Sequence, residues 1–432
     1  MRERNSLTLA LLGLILSTGV VASEHKLIVK WNGTKDHKGC RVGEVVFEAL
    51  QLYEAKCDDD GFKRLKRSRA DNYILNAPIS RRNRPSDPRF NELWNLNPQG
   101  NTAHIDAISA WKRSVGTRFG VGAPVVAVID GGVDVSHVDL EANIWRNENE
   151  IPGNGIDDDK NGYVDDYFGW NAYRGNGEVD ADFHGTHVAG IIGAEGDNGI
   201  GVVGVNWKTK IMSISGSSGD TATVLKAYNY VLKQKKTYLN SNGKRGANVV
   251  STNSSFGVDL ADCKTKDYRL WNDVYNELGK AGILNAAATI NDEINVDNDG
   301  DVPTGCTSDF LITVTNTNVQ NSKYKYAGFG SKSIDLGAPG TDILSTVPDS
   351  GYDFLTGTSM ATPHVAGAVA FLYSLGNKEF QRLSSSDPAQ GALTVKRMIL
   401  ESTEALPSLK GRTVSGGKLN LEKASQVMSN HK

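Results

Sequence analysis

Three segments of this 432-residue chain set a reactive side chain among glycines and small apolar residues. They are "VAVIDGGVDVSHVDL" with Asp130, "DFHGTHVAGIIGA" with His184 and "GTSMATPHVAGAVAFL" with Ser359. A serine hydroxyl attacks a carbonyl when a base removes its proton, and an imidazole does so when a carboxylate holds it in the right tautomer. Asp130, His184 and Ser359 supply those three groups. A serine at a glycine-led helix start exposes its hydroxyl and leaves its backbone N–H unpaired within the helix, free to help hold an oxyanion. Each residue alone has a plainer reading, as a turn former, a hydrogen-bonded core histidine or an N-cap. Their joint occurrence in three long, specific strings favours catalysis over coincidence.

Such groups need a rigid scaffold. Short apolar runs recur at 124–130 ("PVVAVID"), 210–215 ("KIMSIS"), 247–255 ("ANVVSTNSS"), 282–288 ("GILNAAA") and 310–317 ("FLITVTNT"). Amphipathic stretches such as "TATVLKAYNYVLKQKK" (221–236) lie between them. Strands alternating with helices predict an α/β fold with a mostly parallel sheet covered on both faces. Functional residues of such sheets gather at the carboxyl ends of strands, where Asp130 falls. Residues 23–86 form a separate region with one strand-like run ("KLIVKW") and one helix-like run ("GEVVFEALQLYEAK"). The basic stretch "KRLKRSR" (63–69) reads as a solvated linker, and proline-bearing "ISRRNRPSDPRF" as a second linker ahead of the main domain, 87–432.

A formal net charge of −3 gives no reason to expect a nucleic-acid partner. Residues 1–22 carry a basic start, an apolar run and small Ala22, the pattern of a cleavable secretory signal. No later segment is long and apolar enough for a membrane anchor. Export makes disulfides the expected state of Cys40, Cys57, Cys263 and Cys306. Three pairings are open, and proximity suggests Cys40–Cys57 with Cys263–Cys306. No CxxC occurs to suggest zinc or redox chemistry.

The three motifs together resemble those of subtilisin-like serine proteases (subtilases), in that family's order Asp, His, Ser, over roughly residues 86–427. The resemblance implies a three-layer, doubly wound α/β domain and a secreted endopeptidase working through an acyl-enzyme. In it Asp130 orients, His184 acts as general base then acid, and Ser359 is the nucleophile. His187 and His364, the second histidines of their motifs, are expected to pack and hydrogen-bond rather than react. One departure is Gly131, where the family usually has Ser or Thr. "GILNAAATIN" (282–291) resembles the strand that ends in the family's oxyanion-hole asparagine and puts Asn291 there, with Thr289 and Ile290 as departures. "STNSSFG" and "SISGSSGDT" resemble the two substrate edges, implicating Ser255, Phe256 and Gly257 on one side and Gly216, Ser217, Ser218 and Gly219 on the other. An extended protein or peptide substrate would pair with both edges through its backbone, which implies broad specificity.

A further segment, "GNGIDDDKNGYVDDYFGWN", spaces Asp157, Asp159, Asn161, Gly162, Tyr163 and Asp165 as an EF-hand loop does, with Asp166 as a possible further oxygen. Phe168 stands where the bidentate Glu would be. A structural Ca²⁺ is the expected occupant, and a metal-free acidic turn the competing reading. Subtilases are commonly made as precursors, so residues 23–86 are expected to be a propeptide and intramolecular inhibitor, closed by Cys40–Cys57 and removed within 63–86. "VSGGKLNLEKA" resembles the family's closing helix, so no C-terminal binding domain is expected, and the enzyme is expected to be a monomer. Two rivals remain: a catalytically silent binding or inhibitory protein of the same fold, and an esterase or amidase using the same triad.

Overall fold

The computed structural model describes residues 25–30, 39–67, 73–75, 84–98, 100–116 and 122–431; the secretory signal expected over 1–22 lies outside them. The chain divides into two compact units, Met1–Arg81 and Arg82–Lys432. Among the described residues no helix is long and apolar enough to cross a membrane.

The first unit contains β1 (His25–Lys30), β2 (Cys40–Phe47), β3 (Leu52–Cys57), α1 (Asp59–Arg67) and β4 (Tyr73–Leu75). Its sheet runs β2-β3-β1-β4, antiparallel throughout, over a small core of Leu27, Val29, Ala55, Cys57 and Leu65. The helix expected over 43–56 is therefore corrected to a strand, a turn and a second strand. β-Branched Val42, Val45 and Val46 favour extended backbone, and Gln51 at φ 53° lets the chain reverse. Cys40 lies opposite Cys57 in register, and the two form a disulfide. The basic stretch is corrected as well: Lys63–Arg67 belong to α1, whose first turn carries Asp59 and Asp60, where the helix dipole favours acids.

The second unit opens with α2 (Ala107–Trp111), β5 (Val125–Asp130), β6 (Gly169–Asn171), α3 (Phe183–Gly193), β7 (Lys210–Ser215) and α4 (Thr221–Asn240). It continues through β8 (Val249–Ser254), β9 (Val258–Asp259), α5 (Leu270–Lys280), β10 (Leu284–Ala288), α6 (Val296–Asp299), β11 (Asp301–Val302) and β12 (Leu311–Thr317). β13 (Leu336–Pro339), β14 (Ile343–Val347), β15 (Gly351–Leu355), α7 (Thr358–Leu375), α8 (Lys378–Ser386) and α9 (Pro388–Glu401) follow. The last elements are β16 (Glu404–Ala405), β17 (Gly417–Lys418) and α10 (Leu421–Ser429).

Nine strands form one sheet in the order β16-β17-β13-β12-β10-β8-β5-β7-β6, parallel except for edge strand β16. Strand β5 is buried along its whole length because both faces are covered. Val126 and Val128 enter the core shared with α3 and α7, while Val125, Ala127 and Ile129 enter the one shared with α4 and α5. This is the period-2 alternation of a strand. Truncating a buried residue here, Ile129→Ala for example, costs about 2–5 kcal/mol.

The helices that carry the site are built from small residues for close approach. A Cβ on Gly190 of α3 would meet the hydroxyls of Ser345 and Thr346 at 2.3 Å. Those hydroxyls donate to the His187 and Thr186 carbonyls at 2.7 and 2.8 Å, pinning α3 to β14. Pro363 lies inside α7 and has no N–H for the carbonyl of Ser359 one turn back. The hydroxyl of Ser255 fills that vacancy at 3.0 Å, so the backbone of Ser359 is tied to the end of β8.

Candidate active site

Asp130 ends β5, where the sheet's strand order divides: β7 and β6 lie to one side, β8, β10, β12 and β13 to the other. Ligands of open α/β sheets bind at such switch points. His184 stands in the first turn of α3, whose N-cap Asp182 accepts the Gly185 N–H at 2.8 Å. The His184 Nδ1 is 3.0 Å from both carboxylate oxygens of Asp130, and Asp130 Oδ1 also accepts the Gly131 N–H at 2.8 Å. The Asp130 side chain is 4% exposed and that of His184 38%, so the ring's far side stays open to a ligand. Burial alone disfavours the imidazolium, but the hydrogen bond and charge of Asp130 outweigh it, and His184 is held above its ordinary value. Burial pushes the Asp130 carboxyl up, with the His184 contact pulling against it.

Ser359 is the second residue of α7. Its hydroxyl donates to the Ser255 carbonyl at 3.5 Å rather than to the His184 ring. Catalytic contacts are often loose before a substrate arrives and tighten around it. Asn291 follows β10 and is exposed. Its Oδ1 accepts the N–H of Thr358 at 2.8 Å and the Thr358 hydroxyl at 3.0 Å, which fixes the carboxamide plane and frees its NH₂ for another acceptor. Ile290, a departure from the resembled strand, is held by its N–H to Asp301 Oδ2 at 3.1 Å and does not displace Asn291 from Thr358.

The expected substrate edges surround two cavities. One, of about 340 Å³, is lined by Ser255, Phe256 and Gly257 together with Asn291 and Ser359. The other, of about 270 Å³, brings Ser217, Ser218 and Gly219 against Phe256 and Gly257. Gly216 packs behind them, its N–H donating to the Asp130 carbonyl at 2.7 Å. The second motif histidines are buried and hydrogen-bonded, although His187 Nδ1 has no partner among the described residues. His187 Nε2 contacts the Ile343 carbonyl at 2.9 Å, and His364 sits between Met360 O at 2.9 Å and Asn95 Nδ2 at 2.7 Å. Burial pushes both down to about 4.

The acidic loop converges differently from an EF-hand. Buried Asp159 and Asp166 group with buried Glu150, their ligand atoms within 4.8 Å of one another. Asp157 and Asp165 stand outside that group. Asp157 accepts the N–H groups of Asn161 and Gly162 at 2.9 and 2.7 Å, and Asp165 those of Asn154 and Gly155 at 3.0 and 2.9 Å. Asn161 bridges to Asp166 at 3.0 Å and also accepts the N–H of Tyr163. Burial pushes Asp166 up to about 7, against hydrogen bonds from Tyr230, Asn147 and Asn161. Glu150 Oε2 is buried without a partner among the described residues. Sequence reasoning missed Glu150, although "NENEIPGNG" sets an acid just ahead of the loop. It also missed Asp182, whose signal is an N-cap placed two residues before His184. The other grouping of ligand atoms, Asp130, Asp182 and His184, is the candidate active site itself. The second disulfide joins Cys263 to Cys306, so both pairings suggested by proximity occur.

Fold and site together define a class: a parallel α/β protein with an Asp–His pair at the sheet's switch point and a helix-start serine beside a substrate-sized cavity. Residues 122–421 match the subtilase family, and the chain belongs to that family. It is 32% identical over 324 residues to Subtilisin-like protease 1 of Plasmodium falciparum (isolate 3D7), covering 69% of this chain and 43% of that protein. The chain thus spans less than half the length of that relative. It is 29% identical over 286 residues to the Major intracellular serine protease of Bacillus subtilis (strain 168), covering 65% of this chain and 78% of that one. Among solved structures, a protease of Pseudoalteromonas arctica PAMC 21717 shares the fold, with a TM-score of 0.56 at 24% identity, covering 80% of this chain and 99% of that one.

Proposed function

We propose that the chain is a secreted serine endopeptidase that hydrolyses peptide bonds through an acyl-enzyme on Ser359. The observation that carries this reading is the paired contact of His184 Nδ1 with both oxygens of Asp130 at 3.0 Å, which leaves Nε2 as the basic nitrogen. An extended peptide pairs with the Gly216–Gly219 and Ser255–Gly257 edges. Its carbonyl comes to Ser359, whose hydroxyl turns from the Ser255 carbonyl and gives its proton to His184 Nε2 as Oγ attacks. The oxyanion receives the Ser359 N–H and the Asn291 NH₂, groups already fixed and needing no reorganisation. His184 then protonates the departing amine, and water repeats the sequence on the acyl-enzyme. Asp130 stays ionised and holds Nδ1–H throughout. Incubation with an unfolded protein should generate new amino termini, and Ser359→Ala should abolish them; equal cleavage by the variant would overturn the reading.

Residues 1–22 support export, and residues 23–86 fit a propeptide removed within 63–86. Amino-terminal sequencing of secreted material should begin near that stretch, and a mature chain starting at Ser23 would sink this part. Glu150, Asp159 and Asp166 suit a hard cation, because carboxylate oxygens are its preferred donors and Glu150 Oε2 lacks a partner. Calcium there would offset most of the charge of the three buried carboxylates and stiffen the segment between Asp130 and His184, taking no part in hydrolysis.

A further inference from the structure

The cavity beside Ser359 has a charged inner end. Asp301, 1% exposed, lines it, as do Asp259 and Asp292, both exposed. Strands β9 and β11 form a two-stranded antiparallel ribbon that sets Asp301 directly opposite Asp259. Like charges opposed across a ladder are destabilising, so a purely structural ribbon has no use for this pair.

The hydrogen bonding of Asp301 is one-sided. Oδ2 accepts the Thr304 hydroxyl, the Ile290 N–H at 3.1 Å and the Thr289 hydroxyl at 3.2 Å. Among the described residues Oδ1 has no hydrogen-bond donor. Gly257 leaves room in front of it, since a Cβ there would come within 3.5 Å of Oδ1. Among the described residues no lysine, arginine or histidine forms an ion pair with Asp259, Asp292 or Asp301. A buried carboxylate without a cation is costly, and a cleft lined by one sign of charge concentrates ligands of the other.

We propose that this cavity takes the side chain of a lysine or arginine on the acyl side of the scissile bond, with its cationic head on Asp301 Oδ1 and Asp259 and Asp292 at the mouth. The inference rests on the endopeptidase reading and narrows the broad specificity that backbone pairing alone implies. Burial, offset by the Thr304, Ile290 and Thr289 hydrogen bonds and reinforced by Asp259, places Asp301 at about 6, so it is ionised at neutral pH. Apart from Asp259 and Asp292, the groups named around it are neutral.

The test is kcat/KM on matched peptides that differ only in Lys, Gln or Leu before the cleaved bond, with active enzyme counted by fluorophosphonate labelling. The Lys peptide should exceed the Leu peptide by about 100-fold, as expected for satisfying a buried charge. Asp301→Asn should lower the Lys/Leu ratio by a similar factor. Asp259→Asn, on the exposed strand of the ribbon, should lower it by about threefold and serves if the first variant does not fold. In the parent enzyme the ratio should fall as pH drops through about 6, since the His184 titration is common to both peptides and cancels. A labelled enzyme that cleaves Leu or Gln as well as Lys, or a variant that lowers all three alike, overturns the inference alone. A folded sample that neither labels nor cleaves any peptide overturns the endopeptidase reading and this inference with it.

Discussion

A Cβ placed on Gly131 would lie 2.4 Å from Cγ of Asp182 and 2.6 Å from its Oδ2. Asp182 fills the space that a serine or threonine after the aspartate would need. It caps α3 through the Gly185 N–H, and its charge adds to that of Asp130 in holding His184 up against burial. Gly131 is therefore half of a pair: the hydroxyl usual at this point in subtilases is replaced by a carboxylate from the segment that leads into the histidine helix.

Gly131→Ser should push Asp182 off its cap. Loss of such a cap costs about 1 kcal/mol, which corresponds to roughly 1–2 °C in Tm for a unit of this size. In Asp182→Ala the cap is already gone and the space is open, so adding Gly131→Ser should cost little more. Thermal unfolding of the four proteins of this cycle tests the coupling; strictly additive losses would refute it.

Asn291→Ala removes one proposed oxyanion donor and leaves both proposed substrate edges intact. It should lower kcat by about 10²–10³ with little change in KM. Normal kcat would remove Asn291 from the site, and a raised KM at unchanged kcat would make it a binding residue.

The pH dependence has two opposite parts. The proposed hydrolysis needs neutral His184, which Asp130 holds above the ordinary value despite burial, so kcat/KM should reach half its maximum above about 6.5. Asp130→Asn should move that point down and lower kcat by about 10⁴. For stability, a folded pKa above the unfolded one contributes below the unfolded value and is lost as pH rises through the folded one. His187 and His364 work the other way. Burial pushes them to about 4, so their contribution is present above about 6.5 and is lost as pH falls towards 4. Urea midpoints should drop across that acid range; a flat profile would contradict the buried neutral assignment.

A calcium ion on Glu150, Asp159 and Asp166 should stabilise the folded chain by about 2.7 kcal/mol at a hundredfold excess over Kd. The fall in Tm caused by chelator should shrink in Glu150→Gln and in Asp159→Asn, while Asp157→Asn should keep the full fall. Equal chelator effects in all four proteins would place the ion elsewhere or nowhere.

The legible parts of this protein are those encoded locally. Asp130 ends an apolar strand, while His184 and Ser359 each begin a glycine-rich helix, so neighbouring residues announced their positions. The place of Asn291 just after an apolar strand is legible for the same reason. Glu150 and Asp301 were not, because their meaning comes from tertiary contacts: Asp166 closes on Glu150 across a loop, and β9 carries Asp259 to Asp301. The β2–β3 hairpin reads as a helix in the sequence because its apolar residues, with Glu44 and Glu48 four apart, fit a helical period as well as a strand. Pairing with β1 and the Cys40–Cys57 link decide it.

The central claim is that His184 and Asp130 activate Ser359. The most direct measurement is labelling of the processed protein by a fluorophosphonate, followed by peptide mapping. Modification should fall on Ser359 alone, vanish in Ser359→Ala, and slow by several orders of magnitude in His184→Ala. A folded, processed protein that is not labelled, or one labelled at the same rate without His184, would contradict the account.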